Sequence, residues 1–259
     1  MNPAVLESLA ARYATWLGLP ASATADTADE DWSEVRAMPV ILHIERTSPP
    51  TRTALLEAAA AAALAVCLDP RTSSEGEWHD AVSSWLDSRI RKVARRARGA
   101  HWQAVQDLPG ITITVNNAEA RALVPTRVVE APKEVTRLQI SGSELEPDDP
   151  GPAPPDVPVL WLNPTIDMTA GKAAAQVGHA SMLLAAILHA NSQDDALAEW
   201  STKDYRCAVR TPAPAHWMAL HPGPDPATAW RKHQVVAVRD AGFTEVDPGT
   251  VTVLAQFRA

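Results

Sequence analysis

Lys172, Gln176 and His179 stand at i, i+4 and i+7 in a stretch otherwise rich in Ala and Leu. At ~100° per residue they share one helix face. A cation, an amide and an imidazole on one face can bind an anion, stabilise an oxyanion or move a proton. A second group lies further on. A strand ends at Arg239, Asp240 and Thr244 occupy the turn after it, and Asp247-Pro248-Gly249 launches the last strand through Thr250. Gly249 supplies the positive φ of a type II turn. Turns at sheet edges display catalytic groups, and Asp240 also suits capping of its own turn. Singly, each residue reads as an ordinary polar residue of surface or core edge; together they read as one site. Gly178, beside His179, admits close approach of another element.

The elements that position these groups follow from periodicity. Val159 to Leu162 is a strand and Thr165 to Ala170 a loop. Gly171 to about His189 is a helix whose polar face starts at the strand's C-terminal edge, where α/β sheets bind ligands. Its N-terminus favours an anion such as phosphate. Asp194 to Trp200 is a short helix, and Tyr205 to Arg210, His233 to Arg239 and Val251 to Phe257 are strands. Residues 211–231 call for a helix but carry Pro212, Pro214, Pro222, Pro224 and Pro226. Upstream, Met1 to Leu19 reads as a helix, residues 20–34 as a polar connector, Val40 to Ile44 as a strand and 53–68 as an Ala-rich helix. A long helix is expected from about Trp78 to Gln106 with a break at Gly99, then strands at Ile111 to Val115, Val128-Val129 and Val135 to Ile140. The Pro-rich, acidic segment 144–157 reads as an extended linker.

Laying Pro39-Val40 on Pro158-Val159 sets the helix from Thr53 on the helix from Lys172 without a gap, and Arg127-Val128-Val129 on Gln234-Val235-Val236. Both halves then read strand, helix, helix, strand, helix or loop, strand, strand, which points to a degenerate duplication. Thr53, Glu57 and Ala60 fall where Lys172, Gln176 and His179 stand, and Lys133 falls near the place of Asp240. The repeated Ala100-His101-Trp102 and Ala215-His216-Trp217 reads as coincidence, lying between a helix and a Pro-rich loop.

The 259 residues suit two small domains, and 46% apolar residues can fill a core. Cys67 and Cys207 offer neither metal spacing nor a disulfide framework, so a reducing cytoplasm is expected. Met1 to Leu19 lacks the pattern of a signal peptide, and the apolar run Ala54 to Leu68 is too short to span a bilayer. No membrane, metal or cofactor is called for. The excess of Arg over Lys fits a GC-rich bacterial source. The net charge of −8 argues against a broadly basic nucleic-acid surface. Arg89, Arg91, Lys92, Arg95, Arg96 and Arg98 nevertheless crowd together, either as a solvated helix face or as a contact for a phosphate backbone.

Gly-Lys-x-Ala-Ala-Gln-x-Gly-His-Ala at 171–180, then Asp-Ala-Gly-x-Thr at 240–244 and Pro-Gly-Thr-x-Thr-Val at 248–253, resembles the type 2 peptidyl-tRNA hydrolases, over about residues 157–257. The resemblance implies a three-layer α/β fold with a four-stranded mixed sheet and metal-free hydrolysis of the ester joining peptide to tRNA. Lys172, His179, Asp240 and Thr244 match as catalytic groups, and Gln176, Gly178, Arg239 and Thr250 as substrate contacts. Asp240 and His179 both remain candidates to orient or deprotonate water. Lys172 suits an oxyanion or a phosphate, and Thr244 the water or the ribose. Ala170 stands where a second Lys is frequent, Val177 where Cys is common, and Phe243 and Glu245 where Arg and Gln are. The segments expected are a helix and connector (1–35), a degenerate hydrolase-like domain (36–143), the linker (144–157) and the hydrolase-like domain (158–259). Such hydrolases dimerise. The first half therefore reads as an inactive copy replacing the second subunit, a pseudo-dimer with one site; otherwise a homodimer is expected. The rival readings are a non-catalytic binding or regulatory module and a hydrolase of a smaller ester.

Overall fold

The computed structural model describes residues 3–223 and 225–257. Met1, where the first helix was expected to begin, and Pro224 lie outside them. Helices α1 (Glu7–Gly18) and α2 (Ala21–Thr24) precede β1 (Arg36–His43), α3 (Arg52–Leu68), α4 (His79–Asp87), β2 (Lys92–Ala97) and α5 (Gly99–Gln106). Then come β3 (Gly110–Val115), β4 (Ala118–Leu123), β5 (Thr126–Arg127) and α6 (Lys133–Thr136). Residues 144–157 form neither helix nor strand. The second half holds β6 (Val159–Leu162), α7 (Ala170–Ala190), α8 (Asp194–Ser201), β7 (Ala208–Arg210), α9 (Pro214–Leu220), α10 (Pro226–His233), β8 (Val235–Arg239) and β9 (Val251–Gln256).

Helices α3 and α7 are apolar on nearly every side, and such helices must be buried. They pack on each other: Ser181 Oγ donates to the Ala60 carbonyl at 2.7 Å. Together they form a central layer between two sheets. Val40, Leu42, Ala120 and Ala122 face it from one side, and Leu160, Leu162, Val236, Val253 and Ala255 from the other. Outside the first sheet, Ile41 packs with Trp102, Val105 and Val135 of α5 and α6. Outside the second, Trp161 and Leu254 pack with Trp217 and Leu220 of α9. Each half is thus an α/β unit with helices on both faces of a mixed sheet. Helix α7 is long and apolar enough to cross a membrane, but here it is mostly buried as a core helix.

The sheets share one strand order, β2-β1-β4-β3 and β7-β6-β9-β8, with β5 added beside β1. They also share their register. Val40 pairs with Ala94 and Ala122, and Leu160 with Val209 and Ala255. Ala122 in turn pairs with Ile111, and Ala255 with Val236. Val40 therefore corresponds to Leu160, not to Val159. A one-residue slip would turn each side chain to the opposite face. The matching continues outside the strands. The Trp85 indole donates to the Arg91 carbonyl at 3.0 Å, and the Trp200 indole to the Arg206 carbonyl at 2.6 Å. Ala100-His101-Trp102 and Ala215-His216-Trp217 lie in α5 and α9, the helices that follow the corresponding strands β2 and β7. The first copy lies in a helix as expected, and the second lies in a helix rather than in a Pro-rich loop. Counted from the N-caps Thr51 and Thr169, Lys172, Gln176 and His179 fall on Ala54, Ala58 and Ala61.

Four local expectations are corrected. The stretch from Trp78 to Gln106 is interrupted by β2, an edge strand; Arg is a good helix former, but clustered cations also protect a sheet edge. The strands that complete the β2-β1-β4-β3 order are β3 and β4, not Val128-Val129 and Val135 to Ile140. Val128–Glu130 is a 3-10 helix and Lys133–Thr136 is α6. The correspondence of Arg127-Val128-Val129 with Gln234-Val235-Val236, and of Lys133 with Asp240, falls with them. Strand β4, Ala-Glu-Ala-Arg-Ala-Leu, carries helix-forming residues, yet Ala120 and Ala122 fit beneath α3 and tertiary packing decides. Two prolines of 211–231 start helices rather than break them. Pro214 and Pro226 occupy first turns, where a missing N–H is harmless.

Candidate active site

Thr169 caps α7, its Oγ1 accepting the Lys172 N–H at 3.1 Å. This starts the helix so that Lys172 and Gln176 lie one turn apart above β8. Strand β8 ends at Arg239, and the chain folds back on itself. The Asp240 N–H donates to the Thr250 carbonyl at 2.8 Å, and the Gly249 N–H to the Asp240 carbonyl at 2.9 Å. Gly242 has φ +85°, and a Cβ there would lie 2.4 Å from Pro248, so only glycine fits.

This fold-back aims the Asp240 carboxylate at α7. Its Oδ2 accepts Lys172 Nζ at 2.7 Å and Gln176 Nε2 at 2.8 Å, and its Oδ1 accepts the Gly242 N–H at 2.7 Å. Lys172 Nζ also donates to Thr244 Oγ1 at 3.2 Å. From below, Thr252 Oγ1 donates to Gln176 Oε1 at 2.5 Å, which fixes the amide with its NH₂ toward Asp240. The result is a continuous relay, Thr252 to Gln176 to Asp240 to Lys172 to Thr244. It runs from the buried sheet to an exposed loop. The Lys172 and Asp240 side chains are only 8% and 9% exposed, so their pairing takes place largely out of water.

The other expected residues lie elsewhere. His179 is one turn beyond Gln176, and its Nδ1 lies 3.0 Å from Lys92 Nζ of β2. Burial, then the charges of Lys92 and Lys172, hold its imidazole well below the ordinary histidine range. Gly178 passes close to Ala63 of α3 and to the Lys92 stem. The Arg239 guanidinium is bound to carbonyls at the end of α1, among them Leu17 at 3.0 Å, and to Gly249 at 2.9 Å. Thr250 Oγ1 donates to the Asp247 carbonyl at 2.7 Å. The structure thus joins Lys172, Gln176, Asp240 and Thr244, and sets His179, Arg239 and Thr250 around them in other contacts.

Several contributors were not singled out in the sequence. Thr252 lay inside the quoted motif, and its signal is strand alternation, which turns it inward. Ser143 Oγ accepts the Gly171 N–H at 3.1 Å, and no local pattern announces that contact. Glu245 binds the Thr169 N–H and hydroxyl, each at 2.9 Å. Ser143 and Thr169 thus partner the Gly171 and Lys172 N–H groups, and Glu245 that of the N-cap, so the start of α7 is partly occupied where an open anion site was expected. A cleft of about 460 Å³ beside this end of α7 is lined by Arg95, Ser143, Thr169 and Glu245 among others. The larger cleft, about 710 Å³, lies at the start of α3 and holds no relay member. Among the described residues no group of three or more His, Cys, Asp or Glu is disposed to hold a metal ion.

No significant match to the chain is found among curated proteins or among solved structures. Residues 157–257, the half of the chain that holds the whole relay, match the family model described as Peptidyl-tRNA hydrolase PTH2.

Proposed function

We propose that the protein hydrolyses the ester of peptidyl-tRNA at the Lys172–Asp240–Thr244 relay. The observation that carries this reading is the convergence of Lys172 and Gln176 on Asp240 within the matched residues. A carboxylate offers about four acceptor directions, and Asp240 uses three, leaving one on Oδ1 for a water. Asp240 takes the proton as the water oxygen bonds to the ester carbonyl carbon. It returns that proton to the ribose oxygen as the acyl–oxygen bond breaks. Lys172, positioned beside Thr244 at the open end of the relay, stabilises the developing oxyanion. Gln176, held by Thr252, keeps Asp240 oriented. His179 is not the base in this scheme, because its Nδ1 faces Lys92 and its imidazole resists protonation.

We also infer that the first half is a degenerate copy of the second. The shared strand order and register, and the repeated Trp-to-Arg-carbonyl bond, support this. The chain is then a pseudo-dimer carrying one site, with Arg91 and Arg95 of the inactive half beside it for the phosphate backbone. Arg91 lies 5.2 Å from the Phe243 ring, and Arg95 lines the cleft next to Thr169.

One observation favours the rival, a binding module without tRNA hydrolysis. The Glu245 carboxylate sits on the cap of α7, where it opposes an incoming phosphate. Release of peptide from N-blocked aminoacyl-tRNA decides between them, measured for wild type, Asp240→Ala and His179→Ala. Turnover by wild type that is lost in Asp240→Ala supports the hydrolase. A folded but inert wild type gives the domain to the rival.

A further inference from the structure

Lys92 is a lysine with no carboxylate in ion-pair reach among the described residues. Its Nζ lies 3.0 Å from His179 Nδ1 and 5.1 Å from the centre of the Trp85 ring. Such a placement is costly, since burial disfavours the ammonium. Burial pulls the group down to about 7, with Cys67 the nearby group that partly offsets it. The fold does not require this lysine. The residue after Arg91 corresponds to the residue after Arg206, and there the second half has buried Cys207.

The helix opposite is shaped to admit Lys92. A Cβ at Gly178 would lie 3.2 Å from both Cδ and Cε of Lys92 and 3.1 Å from Ala63 Cβ. Any larger residue at 178 would crowd the lysine stem where it crosses α7. A glycine in the middle of a helix is less favourable than an alanine. Two locally unfavourable choices, one from each half, thus meet along the Lys92 stem, whose Nζ reaches His179 Nδ1.

We infer that Lys92 is a positioning residue supplied by the first half, which donates to His179 Nδ1 and so fixes this imidazole as the tautomer with its proton on Nε2. An ammonium has only donors to offer, so below the pH at which Lys92 loses its proton the direction of the bond is forced. The neutral amine can either donate or accept, so above that pH the direction is no longer forced. With the ammonium in place, His179 serves the site as a hydrogen-bond donor through Nε2, one turn from Gln176, and not as a proton acceptor. The role in turnover rests on the hydrolase reading; the tautomer does not.

The test is the ¹⁵N imidazole spectrum of the full-length protein from pH 6 to 9, with His179 assigned by the signals missing in His179→Ala. The inference expects unprotonated Nδ1 and protonated Nε2 at the acid end of that range, where Lys92 is an ammonium. An Nδ1–H tautomer or an imidazolium in wild type at that acid end overturns it without any variant. In Lys92→Met, checked for folding by circular dichroism, the tautomers should mix and kcat on peptidyl-tRNA should fall about tenfold at unchanged KM. Full kcat in that variant overturns the positioning role. An inert wild type instead removes the hydrolase reading, while the spectrum still decides the tautomer.

Discussion

The two halves share a scaffold and differ chiefly in how its last two strands are joined. Between β3 and β4 the connection is Asn116-Asn117, both at positive φ (46° and 67°), the backbone of a two-residue type I′ hairpin. Between β8 and β9 it is residues 240–250, which fold back and deliver Asp240 and Thr244 to α7. The helices differ to match. Where α7 carries Lys172, Gln176 and His179, the N-cap alignment puts three alanines on α3. At the start of α3 the polar groups serve the structure. Asp148 accepts from the Thr53 N–H at 2.9 Å, and Glu57 binds Arg210 and the Val209 N–H, each at 3.0 Å. The same sheet thus supports a polar relay or a closed interface, depending on one loop and one helix face.

The largest break of that contrast is Asp240→Ala. It should lower peptide release by at least ~100-fold. It should also cost about 3–5 kcal/mol in chemical denaturation, because Lys172 is left buried without its partner. The double variant Lys172→Met/Asp240→Leu, which makes the second half resemble the first, should recover most of that stability and none of the activity. Recovery of activity would sink the assignment of the relay.

Glu57→Ala attacks the other side of the comparison. It should cost about 2 kcal/mol through Arg210 and the Val209 N–H, and leave kcat unchanged within a factor of ~2. A large loss of kcat at wild-type stability would place the first half in the chemistry.

Smaller effects should appear in the pH dependence of melting. The folded imidazole of His179 resists protonation, whereas the unfolded one gains a proton below about pH 6.5. The unfolded chain then binds more protons, so stability should fall as pH drops through that range, and less so in His179→Gln. Lys92, at about 7 in the fold against about 10.5 unfolded, should make stability rise from pH ~7 to ~10. Lys92→Met should abolish that rise. Asn117→Gly should have the smallest effect, raising stability by about 0.5 kcal/mol, since the turn already holds a positive φ there.

The second half was legible because its strands are mostly rich in Val and Leu and its central helix is long. Val159–Leu162, Ala170–Ala190, Val235–Arg239 and Val251–Gln256 lie within a few residues of their expected places. The first half was legible in order but not in position. Strands β2 and β4 are built mostly from Arg, Lys, Ala and Glu, whose local preference is helical, so the sequence favoured other segments for them. The site shows the same division. Lys172, Gln176, Asp240 and Thr244 were found by type and spacing, and they meet. Ser143 and Lys92 were not, since each reaches α7 from a distant part of the chain.

Local sequence determined the two polar clusters, the helix face that carries one of them and the glycines that turn the loop of the other. Periodicity and backbone conformation are properties of neighbouring residues, so one segment suffices to read them. Only the tertiary structure decided that Gln176 is locked by Thr252, that Ser143 and Glu245 bind N–H groups at the start of α7, and that His179 faces Lys92 of the other half. Those contacts depend on the antiparallel pairing of β8 with β9 and on the packing of α7 against α3 and β2. Such pairings join residues far apart in sequence and leave no trace in any local pattern.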